Sequence, residues 1–312
     1  MSESIAGLRH SIAGARDLHA IVRTMKAVAA SSIGQYERSM LALADYDRSV
    51  SVGLSECFRQ SRLSPAAAQI LPQQDGETIG AIVFGSDQGL VGPFNDVIAE
   101  HAIRALAALP GTPRVWVVGE RVQTRLADAG VTIAGNYAVP SSIEAIAPLV
   151  GQIQIDSEAD LERGHYTRVH VFHNRPASGS LYLPVSQRLL PLDAIWQQKL
   201  AARPWPRTSL PEIVGSGATT LRALVREYLF ISLFRACAES LASENASRLA
   251  AMQRADSNIK DLLDQLDGRF RQLRQSSIDE ELFDVISGYE ALSEQRGEDR
   301  TGPRARLTRT EV

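Results

Sequence analysis

The chain has 312 residues, with 33 basic and 36 acidic side chains and a formal net charge of −3. This length allows one large domain or two modest ones, and it excludes a small fold held together by disulfides. The near balance of charge means that no global excess of positive charge points to nucleic acid or an anionic membrane as a partner. The two cysteines, Cys57 and Cys237, lack metal-ligand spacing, which argues against a disulfide framework or a zinc site.

No run of residues is long and apolar enough to cross a bilayer. The beginning of the chain carries Arg9, His10 and Arg16 in place of the uninterrupted apolar core of a secretory signal. We therefore expect a cytosolic protein, or one that reaches a membrane only through a partner and does not insert into it.

The prolines divide the chain into parts. Of the 14 prolines, 13 lie between Pro65 and Pro211, and the last is Pro303. Because a proline inside a helix removes a hydrogen bond and clashes with the preceding turn, long helices are favoured only at the two ends. This distribution predicts an N-terminal coiled-coil helix over 1–62, an α/β globular domain over 63–208, a C-terminal coiled-coil helix over 209–295 and a disordered tail over 296–312.

The first part carries apolar and small residues at steps of three and four, the pattern of a helix that pairs along one face. His19 fills the position between Ala15 and Val22, where we expect a packed or partly hydrated residue rather than a metal ligand. The apolar positions are Ile5, Leu8, Ile12, Ala15, Val22, Met25, Ala29, Ile33, Tyr36, Met40, Leu43, Val50 and Leu54.

The last part repeats the pattern as far as about Leu292. A helix of this length needs a partner along its side, and the first helix is the partner available. Joining the two through the middle domain predicts an antiparallel two-stranded coiled coil. The apolar positions are Leu221, Leu224, Tyr228, Ile231, Ala238, Leu241, Leu249, Met252, Ile259, Leu263, Leu266, Phe270, Leu273, Leu282 and Ile286.

Strand and helix patterns alternate in the middle part, which predicts a doubly wound, Rossmann-like α/β layer. Residues 181–192 predict a further edge strand, because Pro184 lacks the N–H that a central strand needs. Strands are predicted over 78–84, 114–119, 131–135 and 167–174, and helices over 94–109, 120–130 and 142–154.

The glycine-rich sequence GSDQGLVGPFN (85–95) lies between a predicted strand and a predicted helix, where a phosphate can meet unpaired backbone amides. Its glycine spacing matches neither GxGxxG nor GxxxxGK[ST], it contains no lysine or arginine, and Asp87 would repel a phosphate. Dinucleotide binding is therefore the minor interpretation.

Other candidate sites are weaker. His170 and His173 point to opposite faces of a strand, which favours structural roles over a shared metal. Ser86 and Asp87 have no histidine nearby in the motif, which does not match the GxSxG nucleophile elbow. The acidic run at 278–282 favours a solvated or partner-facing helix surface. The residues themselves predict no catalytic set, no cofactor site and no metal site.

Several segments, taken in order, resemble the gamma subunit of F-type ATP synthase. IVRTMKAVAAS (21–31) is similar to the family's ITKAMKMVAAS, and SDQGLVGPFN (86–95) to its SDRGLCGGLN. ESLASENASRLAAM (239–252) resembles part of the family's last helix, and RQSSIDEELFDVISG (274–288) resembles RQASITQELxEIVSG near its end. Each segment alone is a weak signal, but their order frames nearly the whole chain.

The resemblance implies a non-catalytic central rotor shaft. Such a shaft couples ion flow through the membrane sector to ATP synthesis or hydrolysis in the ring of alpha and beta subunits. It further implies the epsilon subunit and the c-ring as partners, no bound nucleotide or cofactor, and a peripheral location on the cytoplasmic side of the bacterial inner membrane.

The resemblance also implies which residues contact partners. Met25 and Lys26 occupy motif positions near the beta-subunit contact, and Arg248, Gln275 and Glu281 match positions of the last helix that couple rotor and ring.

Departures from the family pattern are typical of a divergent branch, with the alternative sodium-translocating enzymes as one candidate. Ala27 and Leu249 stand where methionine is usual, Pro93 where the loop has its second glycine, and Asp279 where threonine is common. Because the c-ring selects the ion, this chain leaves proton and sodium coupling open.

Two rival interpretations remain. A non-rotary coiled-coil scaffold needs only the helical periodicity, whereas the rotor interpretation also needs the local matches and their order. A nucleotide-binding α/β enzyme needs a working site in the middle part, where the sequence offers none.

Overall fold

The structure is a computed structural model that describes residues 4–61, 78–162, 168–178, 180–205, 211–212 and 216–298. Long helices at both ends flank a five-stranded sheet in these residues, which confirms the predicted fold class. The elements are α1 (Ile5–Ser61), β1 (Thr78–Phe84), α2 (Phe94–Ala107), β2 (Thr112–Val118), α3 (Glu120–Asp128), β3 (Ile133–Tyr137), α4 (Ile146–Glu162), β4 (Arg168–Ala177), β5 (Ser180–Leu190), α5 (Ala194–Ala201) and α6 (Gly217–Glu298).

The chain divides into two units. The terminal unit comprises Met1–Arg23 and Ala255–Val312, and the central unit comprises Thr24–Arg254. The predicted domain boundaries at 62, 208 and 295 lie outside the described residues or within α6, so they stay predictions. The predicted disordered tail lies outside the described residues from 299 onward, and α6 extends past the predicted end near Leu292.

In the terminal unit, the beginning of α1 runs antiparallel to α6. The guanidinium of Arg9 lies 5.5 Å from the ring centroid of Phe270, and Arg16 lies 3.7 Å from Asp267. His19 Nε2 lies 2.8 Å from Asp256 Oδ1. Asp256 is close to Ala255, where the part of α6 that belongs to this unit begins. The contacts therefore move backward along α6 as α1 advances, and Leu8, Ile12, Ala15 and Val22 are buried between them.

In the central unit, the same two helices pair again. Tyr46 donates a hydrogen bond to Glu227 across 2.6 Å, and Arg235 donates to Asp47 across 2.8 Å. A methyl group on Gly53 would lie 3.1 Å from Leu224, so the two helices approach closely at this glycine. Antiparallel pairing of the first and last helices, as the periodicity predicts, is present within each unit.

The sheet of the central unit has the strand order β3-β2-β1-β4-β5. The first four strands pair in parallel, and β5 pairs antiparallel with β4 at the edge. Pro184 lies in this edge strand, as predicted from its missing N–H. The apolar runs of β1 and β2 follow from burial of both faces of a parallel sheet.

Each face of the sheet carries its own core. One core contains Ile98, Ala102 and Leu106 of α2 together with Val122 and Leu126 of α3. The other contains Ile146 and Val150 of α4, Tyr36 of α1 and the part of α6 around Leu233 and Cys237. The glycine-rich loop lies between β1 and α2, in a position to contact both the sheet and α6.

Candidate partner-contact site

Arg248 forms a buried charge pair on α6 of the central unit. Its Nη2 donates to Glu244 Oε1 across 2.6 Å, and its Nη1 donates to Asn245 Oδ1 across 3.4 Å. The Arg248 and Glu244 side chains are 12% and 6% exposed. Burial raises the pKa of Glu244, Arg248 opposes this rise, and the charge of Asp87 adds to it. Glu244 is thus a carboxylate whose ionised form depends on Arg248.

The glycine-rich loop uses its polar groups within the central unit. Asp87 accepts hydrogen bonds from the backbone N–H of Glu120, the first residue of α3, across 2.9 Å and from that of Val139 across 2.8 Å. Ser86 N–H donates to Asn95 Oδ1, and Asn95 Nδ2 donates back to Ser86 Oγ. The loop therefore closes on itself and caps α3.

The loop also packs on α6 next to Arg248. Ser247 Oγ donates to the Val91 carbonyl across 2.5 Å, and Gly92 adopts φ +57° with a would-be Cβ 3.8 Å from Ser247 Oγ. The loop and Arg248 are separate features in the sequence, but they lie side by side in the structure because Ser247, which holds the loop, precedes Arg248 on α6.

Met25 and Lys26 lie on α1 in the central unit. Both side chains are half-buried. Successive helical residues point about 100° apart, so the two side chains occupy neighbouring stripes of α1. Lys26 takes part in an interaction and is not a free cation.

Gln275 and Glu281 lie on α6 in the terminal unit, and both are exposed. The surrounding surface is unusually apolar for an exposed helix. Its large apolar side chains are Ile278, Leu282, Phe283, Val285, Ile286 and Tyr289, which are 45–74% exposed. An exposed apolar surface of this kind typically binds a partner. The acidic run at 278–282 is therefore part of a mixed surface, in agreement with the predicted solvated or partner-facing helix.

Sequence reasoning missed the residues that support Arg248. A glutamate four residues before an arginine on a helix is a pairing signal, and Glu244 and Arg248 have this spacing. The contact of Ser247 with the loop had no such signal, because 156 residues separate it from Val91.

The two strand histidines have different surroundings. His173 Nε2 lies 2.7 Å from Glu239 Oε2 on α6, and both side chains are largely buried. His170 lies on the other face of β4, beside Phe172. In the described residues, no three His, Cys, Asp or Glu side chains are grouped so as to hold a metal ion. None of the described helices has an apolar stretch long enough to span a membrane.

An α/β sheet between two long helices that pair antiparallel defines the class of this protein as a helical hairpin with an inserted α/β domain. A family model described as ATP synthase matches residues 4–292. The chain therefore belongs to this ATP synthase family.

Relatives of similar length carry the name ATP synthase gamma chain. One from Nitrosomonas eutropha is 26% identical over 297 residues, which covers 91% of this chain and 98% of the relative. One from Picosynechococcus is 27% identical over 312 residues, covering 93% and 99%. The similarity to these relatives therefore extends over more than nine tenths of the chain. The sodium-translocating branch stays a prediction, because these names specify no ion.

Solved structures share the fold. The chain aligns with a chain of the Euglena gracilis mitochondrial ATP synthase assembly of OSCP, F1 and c-ring, with a TM-score of 0.57 and 16% identity. That alignment covers 99% of this chain and 98% of the other. A chain from the central stalk and c-ring of the Tetrahymena thermophila mitochondrial enzyme aligns with a TM-score of 0.53 and 20% identity, covering 75% and 99%.

Proposed function

We propose that this chain is the central rotor shaft of an F-type ATP synthase. It couples ion flow through the membrane sector to ATP synthesis or hydrolysis in a ring of alpha and beta subunits. The observation that carries the proposal is the exposed apolar surface on α6 of the terminal unit, around Phe283 and Tyr289. A ring of partner subunits would cover it, and the family match over residues 4–292 supports the same role.

The shaft is a non-catalytic subunit. The loop that could have held a phosphate directs Asp87 to backbone N–H groups of its own domain. Catalysis then belongs to the alpha and beta subunits, and the epsilon subunit and c-ring are the further partners. As part of such a complex, this chain would be a peripheral subunit at the cytoplasmic side of the bacterial inner membrane.

Contacts that couple rotation to catalysis include Met25, Lys26, Arg248, Gln275 and Glu281. A rotor passes through several near-equivalent orientations, so switchable polar contacts suit it better than a fixed apolar lock. The exposure of Gln275 and Glu281 supports direct contact with the ring. The burial of Arg248 against Glu244 supports a role in positioning α6.

Co-expression with the alpha and beta subunits of the same organism tests the proposal. We expect one copy of the chain to co-purify with three copies of each, and ATP hydrolysis by the complex to rotate a probe fixed to the chain. Co-purification without rotation would instead support the scaffold interpretation. ATP turnover by the rigorously purified single chain, or saturable nucleotide binding to it, would support the enzyme interpretation.

A further inference from the structure

Two buried imidazole nitrogens lie on the α2 face of the sheet without a hydrogen-bond partner in the described residues. They are Nε2 of His101, on α2, and Nε2 of His170, on β4. Both rings lie against Phe172, with centroid distances of 6.2 Å for His101 and 6.3 Å for His170. The two histidines therefore belong to one region between the helix and the strand.

The register of α2 over β4 places Arg104 in the same region. Asn174 Nδ2 donates to the Phe94 carbonyl across 3.0 Å, which fixes the beginning of α2 beside the end of β4. From Asn174 back to His170 the strand covers about 13 Å, a distance that a helix covers in roughly nine residues. Nine residues beyond Phe94, α2 reaches the position next to Arg104.

Two more arginines flank His170 within the sheet. Arg188 of β5 is its direct cross-strand neighbour, and Arg168 lies two residues earlier on the same face of β4. Burial lowers the pKa of His170, and Arg188 and Arg168 lower it further. Burial and Arg104 likewise lower the pKa of His101. The carboxylate of Asp193 lies 3.8 Å from Arg188, but both groups are about half exposed, so this pair is weak.

We propose that His101, Arg104, Arg168, His170 and Arg188 form a binding site for a phosphate group. Three guanidinium groups disfavour a metal cation and favour a multiply charged oxyanion, which arginine binds through paired N–H donors. A neutral imidazole protonated at Nε2 donates one further hydrogen bond. Arg104 and Arg188 are exposed, so a small anion can approach this cluster from solvent. The site lies apart from the Arg248 network and does not depend on the proposed rotor function.

The phosphate group can come from free phosphate or from a lipid headgroup, and one experiment separates the two. Inorganic phosphate is titrated into the full-length chain at constant ionic strength while the imidazole resonances are followed by NMR. His101→Gln and His170→Gln assign the two signals. We expect both signals to shift saturably and their pKa values to rise, because a bound anion favours the protonated imidazole.

Arg188→Gln should weaken binding about tenfold, the loss expected for one charge-assisted hydrogen bond. The matched control is Arg222→Gln, which removes an exposed arginine at the beginning of α6 and should leave the affinity unchanged. Circular dichroism serves as the control that both variants fold. Sedimentation with phosphatidylglycerol vesicles, against phosphatidylcholine vesicles, then tests the lipid source.

Phosphate binding that Arg188→Gln weakens, without vesicle binding, supports a soluble ligand. Vesicle binding that both Arg188→Gln and free phosphate reduce supports a lipid headgroup. Absence of a saturable shift together with absence of vesicle binding overturns the proposal. Equal responses from the Arg188 and Arg222 variants also overturn it.

Discussion

Glu244 is a buried carboxylate beside one arginine and near a second carboxylate, Asp87. Burial disfavours its charge, while the 2.6 Å hydrogen bond from Arg248 favours it. The pKa of Glu244 is raised, so burial outweighs the arginine. The stability of the central unit should therefore respond to pH at this residue.

Glu244→Gln tests this response. A carboxyl group whose folded pKa lies above its unfolded value of about 4.3 stabilises the fold below that value and loses this contribution as pH rises through the folded pKa. The stability of the original chain relative to Glu244→Gln should thus fall as pH rises above about 4.3. Thermal melts of both proteins across the acidic to neutral range measure the difference. A relative stability that increases with pH would contradict the assigned direction.

Asp87→Ala should destabilise the central unit more than it affects coupling. The substitution removes the acceptor for the N–H groups of Glu120 and Val139, at a cost of about 1.5 kcal/mol or more. Chemical denaturation of the chain measures the loss, and Gln88→Ala, on an exposed neighbour, is the matched control. Unchanged stability would mean that water replaces the carboxylate at no cost.

Gln275→Ala and Glu281→Ala should show the opposite behaviour. Both side chains are exposed, so the free energy of unfolding should change by less than about 0.5 kcal/mol. ATP-driven ion transport relative to ATP hydrolysis in the assembled complex should fall if these residues contact the ring.

Arg248→Ala should lower this coupling ratio and also the free energy of unfolding. The free energy of unfolding should fall by about 1.5 to 3 kcal/mol, because the substitution removes a charge-assisted hydrogen bond and leaves Glu244 unpaired. Equal coupling defects in these variants and in Asp87→Ala, at unchanged assembly, would show that the residues implied by the family resemblance are not the coupling contacts of this chain.

At the scale of elements, the turn from β2 to α3 depends on Gly119. Its φ is +114°, and an added Cβ would lie 2.7 Å from the backbone nitrogen of Ser86. Gly119→Ala should therefore prevent normal folding of the sheet or lower its stability by more than about 3 kcal/mol, since strain and overlap with backbone act together. Gly130→Ala is the control, because Gly130 also has a positive φ but no atom within 4 Å of its would-be Cβ. Unfolding curves should show a larger loss of stability for Gly119→Ala than for Gly130→Ala. Equal losses would mean that the positive φ alone, without steric overlap, causes the destabilisation.

Elements with strong local patterns could be predicted from the sequence. The prediction for β1 agrees with the structure at both ends, and α2 begins at Phe94 as predicted. Helix α5 was missed because it is only eight residues long, although Asp193 caps it by accepting from the Ile195 N–H. The packing of the glycine-rich loop on Ser247, next to Arg248, could not be predicted, because 156 residues separate Ser247 from Val91. Local periodicity carries no information on such contacts.

At the scale of the whole molecule, deletion of the residues after Arg296 should leave assembly intact. The removed sequence mixes charge with Gly302 and Pro303 and has no apolar periodicity, so little packing is lost. The recovery of the chain with alpha and beta subunits after co-expression measures the effect. Loss of the complex would show that the tail is a structural contact, and a deletion from residue 275, which also removes the apolar surface around Phe283, is the positive control.

The pairing of α1 with α6 also has a consequence for synthesis on the ribosome. His19 and Asp256 are 237 residues apart, so the partner of the first helix is among the last parts of the chain to be made. At a synthesis rate of about 5 to 20 residues per second, the apolar face of α1 stays uncovered for roughly 10 to 50 s. A nascent chain in this condition is a natural client for a ribosome-bound chaperone. The folding of α1 should therefore depend on that chaperone more strongly than the folding of the α/β sheet, because the paired strands are closer together in the sequence.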